Sequence, residues 1–169
     1  MGVGKTTIGG LVAGRLGRPL RDSDHDLRTS HRNARQLAAR QGVDELHRLE
    51  ADLLLDALTS STPSVIAAAG SVVDDPRAID ALRSPDGPCV VWLWAPPHLL
   101  APRLASGDHR RDLGTDPVAA LARLAHDRDG RYRSVADATL DVSGRRPDEV
   151  AQAIVDLVTP TGFGSGGRG

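Results

Sequence analysis

Residues 1–10 read MGVGKTTIGG, and the step Gly4-Lys5-Thr6 within them decides the fold. It matches the end of the pattern G-x-x-x-x-G-K-[ST], a loop whose backbone N–H groups cradle phosphates while the lysine reaches the β- and γ-oxygens. Lys5 is the only lysine in a chain whose other cations are arginines, and a compact ammonium fits such a loop better than a guanidinium. The stretch therefore predicts a phosphate site at Gly2, Gly4, Lys5, Thr6 and Thr7. The alternative is that Gly-Lys-Thr merely begins a helix.

Composition limits the classes of protein to consider. The 169 residues are 40% hydrophobic, which predicts one soluble domain with a single core. A net charge of -1 and four aromatic residues argue against a nucleic-acid or anionic-membrane surface. One cysteine, Cys89, excludes an intrachain disulfide and a cysteine-rich zinc site. We expect a cytoplasmic protein with a small-molecule partner, neither nucleic acid nor membrane.

Apolar periodicity predicts strands and helices in alternation. Helices are predicted over 6–16, 27–40, 44–58, 75–83, 97–106, from 118 onward and over 147–158. Strands are predicted at 19–22, in PSVIAAAGSVV, in CVVWLWAPP and in ATLDV. This order predicts an α/β fold with a parallel sheet flanked by helices, and the uninterrupted apolar strands predict that both sheet faces are covered. The domain spans 1–158, and the glycine-rich residues 159–169 are predicted to be a disordered tail.

The strand that should precede the phosphate loop is missing from this chain, because the loop begins at Gly2. We expect Met1 to be an internal methionine of a longer reading frame. The alternative, a true start at Met1, would leave a gap in the sheet and unpaired backbone groups on the neighbouring strands. An apolar in-frame run upstream would support the first interpretation, and a stop codon there would contradict it.

Two carboxylates follow the first predicted strand. Asp22 and Asp24 lie at the carboxyl end of that strand, the edge where open α/β sheets place ligands. On extended backbone, residues two apart point the same way, so one carboxylate can help hold hydrated Mg²⁺ while the other meets a substrate hydroxyl. The alternative is a helix cap ahead of Leu27.

At this point the chain resembles the shikimate kinases, which are small P-loop kinases. The resemblance runs from GVGKTTIG through DSD, GVDELHRLE, VIAAAGSVV, the RRDL region and RDGRYRSVAD to SGRRP. In that family the loop holds ATP, the first Asp of Asp-x-Asp helps bind Mg²⁺ and the second contacts the acceptor hydroxyl. The resemblance implies that Lys5 is catalytic, that Thr6 and Asp22 hold the metal, and that Asp24 is the catalytic carboxylate.

The resemblance also implies roles for residues in the second half of the chain. A lid over about 107–127 would carry Arg110, which reaches the transferring phosphate, with Arg111 where proline is usual. Arg103 and Pro147 would flank adenine, and Arg128 would bind the substrate carboxylate. Fixed cations on a closing lid suit phosphoryl transfer, because closure expels water around the transferring group.

Two departures from the family pattern concern the acceptor. The family reads Phe-Arg-x-Leu-Glu where this chain has LHRLE, so His47 replaces an arginine that grips the substrate carboxylate. A histidine cannot form the bidentate fork, and Arg48 lies about 100° around the helix. In VIAAAGSVV the family has three glycines, and here only Gly70 remains, between Ala69 and Ser71. The predicted substrate residues are Asp24, His47, Arg48, Gly70 and Arg128.

These observations predict an ATP- and Mg²⁺-dependent phosphotransferase that acts on a hydroxyl of a small hydroxy acid. Shikimate, converted to shikimate 3-phosphate in aromatic amino acid biosynthesis, is the best single acceptor. The alternatives are a divergent paralogue acting on another hydroxylated metabolite, and a nucleotide-binding protein without turnover. The family resemblance favours a monomer.

Overall fold

The computed structural model describes residues 2–31, 41–105 and 115–159, in which strands and helices alternate as predicted. The elements are α1 Lys5–Leu16, β1 Leu20–Asp22, α2 Ser23–His31, α3 Val43–Leu58, β2 Val65–Ala67, a 3-10 turn Val72–Asp74, α4 Pro76–Leu82, β3 Val91–Trp94, α5 Pro97–Ala105, α6 Pro117–Val135, β4 Ala138–Asp141 and α7 Pro147–Val158. Part of the predicted helix 27–40 and nearly all of the predicted tail lie outside the described residues.

The strands form two parallel pairs. β1 lies beside β2 with Asp22 opposite Ala67, and β3 lies beside β4 with Trp94 opposite Asp141. Within the described residues no ladder joins β2 to β3, and α1 is the first element. The parallel pairing and the flanking helices agree with the predicted α/β fold.

The prediction that both sheet faces are covered is wrong at β3, one of the two uninterrupted apolar strands. Val91, Trp92 and Leu93 are only half-buried, and Trp94 is 36% exposed. The physical reason is that β3 has a paired strand on one side only among the described residues. An apolar run reports what a strand would bury in a complete sheet, and so it overestimates burial here.

Helix α1 joins the two strand pairs through one hydrophobic cluster. Ile8 and Val12 are buried in it, and Val65 of β2 and Leu93 of β3 pack against the same cluster. Gly9 lets α1 approach β1 closely, since a Cβ there would lie 3.2 Å from Leu20 Cδ1. Helix α1 therefore packs against both strand pairs.

A second cluster holds α3, α4 and α6 together beyond β2. Its buried members are Ala51, Leu54, Ala69, Val72, Val73, Ala78 and Val135. Arg21 of β1 adds a polar tie, since it donates to Asp26 of α2 at 3.1 Å and to Asp56 of α3 at 3.0 Å. These two carboxylates raise the pKa of the Arg21 guanidinium. The tie fixes α2 and α3 over the end of β1.

Candidate active site

The loop before α1 has the geometry of an anion site. Gly2 and Gly4 have φ of 72° and 86°, left-handed values that favour glycine. The Ile8 N–H donates to Gly4 O at 2.9 Å, so the N–H groups of Lys5, Thr6 and Thr7 precede the helical ladder. The first turn of α1 carries no side-chain cap and no acidic residue. Free N–H groups, the helix dipole and the Lys5 ammonium together favour a bound phosphate.

Helix α5 forms one wall of this loop. A Cβ on Gly2 would lie 3.4 Å from Leu100 O and 3.4 Å from Leu104 Cγ, so the loop packs directly on α5. Arg103 is exposed on the same helix between those two residues. Pro147 begins α7, which shares the hydrophobic cluster of α1 and α5. The structure thus places the two predicted adenine neighbours on helices that meet α1.

The carboxylate pair lies where β1 becomes α2. Asp22 Oδ1 accepts the N–H of Asp24 at 2.9 Å and of His25 at 3.3 Å, so it caps α2. The prediction that Asp22 and Asp24 share extended backbone is therefore wrong, because α2 begins at Ser23 and places Asp24 in its first turn. The buried Ser23 hydroxyl donates to Ala67 O at 2.9 Å, tying this start to the end of β2.

Asp22 retains one carboxylate oxygen for a ligand. The residue is only 7% exposed, and its Oδ2 is buried without a hydrogen-bond partner among the residues that the structure describes. A buried carboxylate oxygen left unpaired is costly unless a cation completes it. No group of three or more His, Cys, Asp or Glu within the described chain could form a metal cage. A single carboxylate suits Mg²⁺, which keeps several waters and binds phosphates.

Beyond β2, the segment Ala69-Gly70-Ser71, where the family has three glycines, is closely packed. The Tyr132 hydroxyl of α6 donates to Gly70 O at 2.6 Å, and a Cβ on Gly70 would lie 2.9 Å from the Tyr132 hydroxyl oxygen. The buried Ser71 hydroxyl donates to Glu50 of α3. The sequence identified Gly70 as a close approach, and the structure shows what approaches it.

Four polar side chains meet next to this segment. Asp74 ends the 3-10 turn, and its carboxylate accepts from Arg128 Nε at 2.9 Å and from Arg131 Nη1 at 2.6 Å. His47 Nδ1 lies 3.9 Å from the same carboxylate. We call His47, Asp74, Arg128 and Arg131 the Asp74 cluster. Two of the predicted substrate residues, His47 and Arg128, are therefore brought together.

Arg48 is not brought to the Asp74 cluster. It is exposed, and it donates to Glu45 at 2.6 and 2.9 Å and to Asp52 at 2.8 Å. The hydrogen bond with Arg48 lowers the pKa of the Glu45 carboxyl. Arg48 therefore belongs to a surface ion-pair group one step around α3 from His47.

Part of the predicted lid lies outside the described residues. Arg110 and Arg111 belong to that part, so their place in a lid remains a prediction. Residues 117–127 are the first turns of α6, which also carries Arg128. The second half of the predicted lid is thus continuous with the helix that carries the Asp74 cluster.

Sequence reasoning missed Asp74, Arg131 and Tyr132. Nothing near Asp74 in the sequence marks it, since it stands in the acidic pair Asp74-Asp75 before a helix and resembles an ordinary cap. Arg131 and Tyr132 follow Arg128 by three and four residues, which places them on the same side of a helix. That spacing was the available signal.

Comparison with known proteins gives a consistent result. The family model described as "Shikimate kinase" matches residues 1–159. The shikimate kinase of Marinomonas sp. is 32% identical over 161 residues, covering 94% of this chain and 87% of that relative. The shikimate kinase of Streptomyces coelicolor is 32% identical over 160 residues, covering 94% of this chain and 91% of that relative.

Solved structures agree with the sequence relatives. Shikimate kinase from Acinetobacter baumannii, in complex with shikimate, matches with a TM-score of 0.85 at 30% identity, over 94% of this chain and 88% of that one. Shikimate kinase from Bacteroides thetaiotaomicron matches with a TM-score of 0.80 at 22% identity, over 93% of each chain. The second likeness concerns the fold alone.

Proposed function

Because the chain belongs to the shikimate kinase family, we propose that it transfers the γ-phosphoryl group of ATP to a hydroxyl of shikimate, giving shikimate 3-phosphate. The fold is the α/β P-loop type that the sequence predicts, and the family's activity is phosphotransfer to an alcohol. The observation that carries the proposal is the uncapped start of α1, with Gly2 and Gly4 in the left-handed conformation before it and Lys5 in its first turn.

The reaction needs few covalent partners from the protein. The acceptor oxygen forms a bond to the γ-phosphorus, while the bond from that phosphorus to the bridging oxygen breaks and its electron pair leaves with ADP. The acceptor's proton passes to the Asp24 carboxylate and then to solvent. The N–H groups at the start of α1 and the Lys5 ammonium hold the phosphates in line with the acceptor, which lowers the entropy cost of transfer.

We also propose that Mg²⁺ accompanies ATP at this site. Asp22 Oδ2, buried and unpaired within the described chain, would hold it together with the hydroxyl of Thr6. When bound, the ion neutralises charge on the phosphate oxygens. The other oxygen of Asp22 keeps α2 capped, so the carboxylate that meets the ion is fixed by backbone N–H groups.

The acceptor half of the site supports a small acid with hydroxyl groups. Arg128 supplies a guanidinium with 8% exposure, and Tyr132 of the same helix lies against Gly70. Arg103 and Pro147 would bind the adenine, and Arg110 would reach the transferring phosphate from the lid. We propose a cytoplasmic enzyme of aromatic amino acid biosynthesis, active as a monomer and without a nucleic-acid partner. No helix within the described ranges is both long and apolar enough to cross a membrane.

The proposed function is tested by ADP release that depends on the acceptor. Purified protein is mixed with Mg·ATP, with and without shikimate, and ADP and the phosphorylated product are measured. Release that requires shikimate and matches the product in amount supports the proposal. ATP binding without shikimate-dependent release would contradict it and would favour a nucleotide-binding protein without turnover.

A further inference from the structure

The Asp74 cluster is an anion site that the protein fills with its own carboxylate. Arg128 donates through Nε to both carboxylate oxygens of Asp74, at 3.2 and 2.9 Å, and through Nη2 to Oδ2. This is the fork by which a guanidinium binds a carboxylate with two parallel hydrogen bonds. Arg131 donates to the same group from the more exposed side.

The cluster borders the acceptor end of the site. Asp74 lies four residues after Gly70, at the end of the short 3-10 turn. Tyr132 follows Arg128 by one helical turn and donates to Gly70 O at 2.6 Å, so the same face of α6 contacts both positions. An acceptor lying against Gly70 would therefore have the Arg128 guanidinium as its nearest buried cation.

We infer that Asp74 is a specificity-determining residue, whose carboxylate competes with a carboxylate on the acceptor for the fork of Arg128. The inference rests on the proposed function, since it takes the acceptor to bind beside Gly70. Because the chain tethers Asp74 beside Arg128, the Asp74 carboxylate acts at an effective concentration in the millimolar range or above. The acceptor's carboxylate must displace Asp74 or bind without the fork, so the site gains little from a charge on the acceptor.

Charge in the cluster supports this role. Two arginines and one aspartate leave a net charge of +1 with His47 neutral, where the arginines alone would give +2. His47 is the only other titratable group that the described structure places against Asp74. Removing the charge of Asp74 would therefore restore both a free fork and the stronger positive field that a carboxylate acceptor needs.

The test measures binding rather than turnover. Calorimetric titration compares shikimate with its methyl ester, which keeps the hydroxyl groups and lacks the charge, on wild type, Asp74→Asn and Asp129→Asn. Asp129 neighbours Arg128 in sequence and pairs with Arg133 on the surface, so its variant matches the charge change. We expect Asp74→Asn to bind shikimate about tenfold more tightly or better, because a close charge pair with one buried partner, Arg128, is strongly coupled. The affinity of Asp74→Asn for the methyl ester should stay within about twofold of the wild-type affinity. Asp129→Asn should bind both compounds as wild type does.

Three outcomes would overturn the inference. Weaker shikimate binding by Asp74→Asn would show that Asp74 holds Arg128 in position. Unchanged binding by that variant would show that the fork does not meet the acceptor. If the variant fails to fold, wild type decides alone: similar affinities for shikimate and ester support the inference, and a tenfold preference for shikimate contradicts it.

Failure of this inference can be told from failure of the proposed function. Shikimate-dependent ADP release by wild type, with unchanged shikimate affinity in Asp74→Asn, would leave the function and overturn the role of Asp74. Tighter shikimate binding by Asp74→Asn, with no ADP release by wild type, would leave the role of Asp74 and overturn the proposed acceptor reaction.

Discussion

At the scale of single residues, the proposed nucleotide chemistry depends most directly on Lys5. Replacing it with Ala removes the cation at the start of α1, and we expect kcat/KM to fall at least about 100-fold, as for loss of one transition-state donor. Lys5→Arg should not restore activity, since the guanidinium fork differs in shape from an ammonium. Steady-state ADP release measures these effects. The control is Arg18→Lys, an exchange of one basic residue for another on the surface. Retained activity in Lys5→Ala would refute the phosphate-loop assignment.

A variant of Asp24 can distinguish an effect on the acceptor's chemistry from an effect on nucleotide binding. Asp24→Asn should lower kcat about 10²- to 10⁴-fold, the usual contribution of a positioned proton acceptor. The dissociation constant for ATP should change less than about twofold, because Asp24 acts on the acceptor. Asp26→Asn, two residues on and paired with Arg21, makes the same charge change as a control. An equal loss of ATP affinity in Asp24→Asn would place this carboxylate on the metal instead.

His47 stands where the family pattern has arginine. His47→Arg would bring a third guanidinium towards the Asp74 cluster, where His47 Nδ1 now lies 3.9 Å from the carboxylate. We expect KM for shikimate to fall several-fold to about tenfold, because a guanidinium that can form charge-assisted hydrogen bonds to the acceptor's carboxylate replaces an imidazole. His98→Arg, exposed on α5, is the matched control. An unchanged or higher KM would argue that the acceptor is not shikimate.

At the scale of elements, helix starts show where sequence reasoning succeeds and fails. The starts of α4 and α7 at Pro76 and Pro147 were predicted within a residue, because proline in the first turn is a strong signal. The start of α2 was predicted four residues late, since an aspartate at a strand end can continue the strand or cap a helix. Asp22 Oδ1 accepts two N–H groups of the first turn, and the Ser23 hydroxyl ties that turn to Ala67 O of β2, a contact between residues far apart in sequence.

The cap of α4 makes a test of stability at this scale. Asp75 accepts the Arg77 N–H at 2.8 Å, and we expect Asp75→Ala to lower the free energy of unfolding by about 1 kcal/mol. Asp75→Asn should keep most of that energy, because the amide oxygen still caps. Chemical denaturation of the three proteins measures the difference.

The effect of Asp75 should depend on pH with a definite sign. The Arg77 side chain, hydrogen-bonded to the carboxylate, lowers the pKa of Asp75 in the folded chain. A lowered pKa means that the stabilisation is complete above the unfolded value of about 3.9 and is lost as pH falls through the folded value. The gap between wild type and Asp75→Ala should therefore be constant near neutrality and shrink below about pH 4. A gap that grew on acidification would contradict this assignment.

At the scale of the whole molecule, the family and the alternation of strands and helices could be predicted because they depend on order and spacing along the chain. Both predictions are confirmed by the family match and by the solved structures. The Asp74 cluster could not be predicted, because it joins α3, the turn after β2 and α6 through contacts far apart in sequence. The roles of Lys5, Asp24 and Arg110 remain predictions.

The last prediction concerns the coupling of ligands to folding of the whole chain. A ligand that binds only the folded state stabilises it by about 2.7 kcal/mol at 100 times its Kd, and a domain of this size gains about 2–4 °C in Tm per kcal/mol. We therefore expect saturating ATP with Mg²⁺ to raise Tm by about 5–11 °C, and clearly less when EDTA removes the metal. Calorimetry or dye-based melting measures both shifts.

Asp22 should carry the metal-dependent part of that shift. Asp22→Asn keeps an oxygen to cap α2 and replaces the unpaired Oδ2 by an amide nitrogen, which cannot hold a cation. The variant should show the same ATP shift with Mg²⁺ as with EDTA. Asp56→Asn, an exposed carboxylate paired with Arg21, should keep the full difference. If Asp22→Asn also kept it, the buried carboxylate oxygen would serve the fold rather than the metal, and Mg²⁺ would be held by the phosphates and other residues.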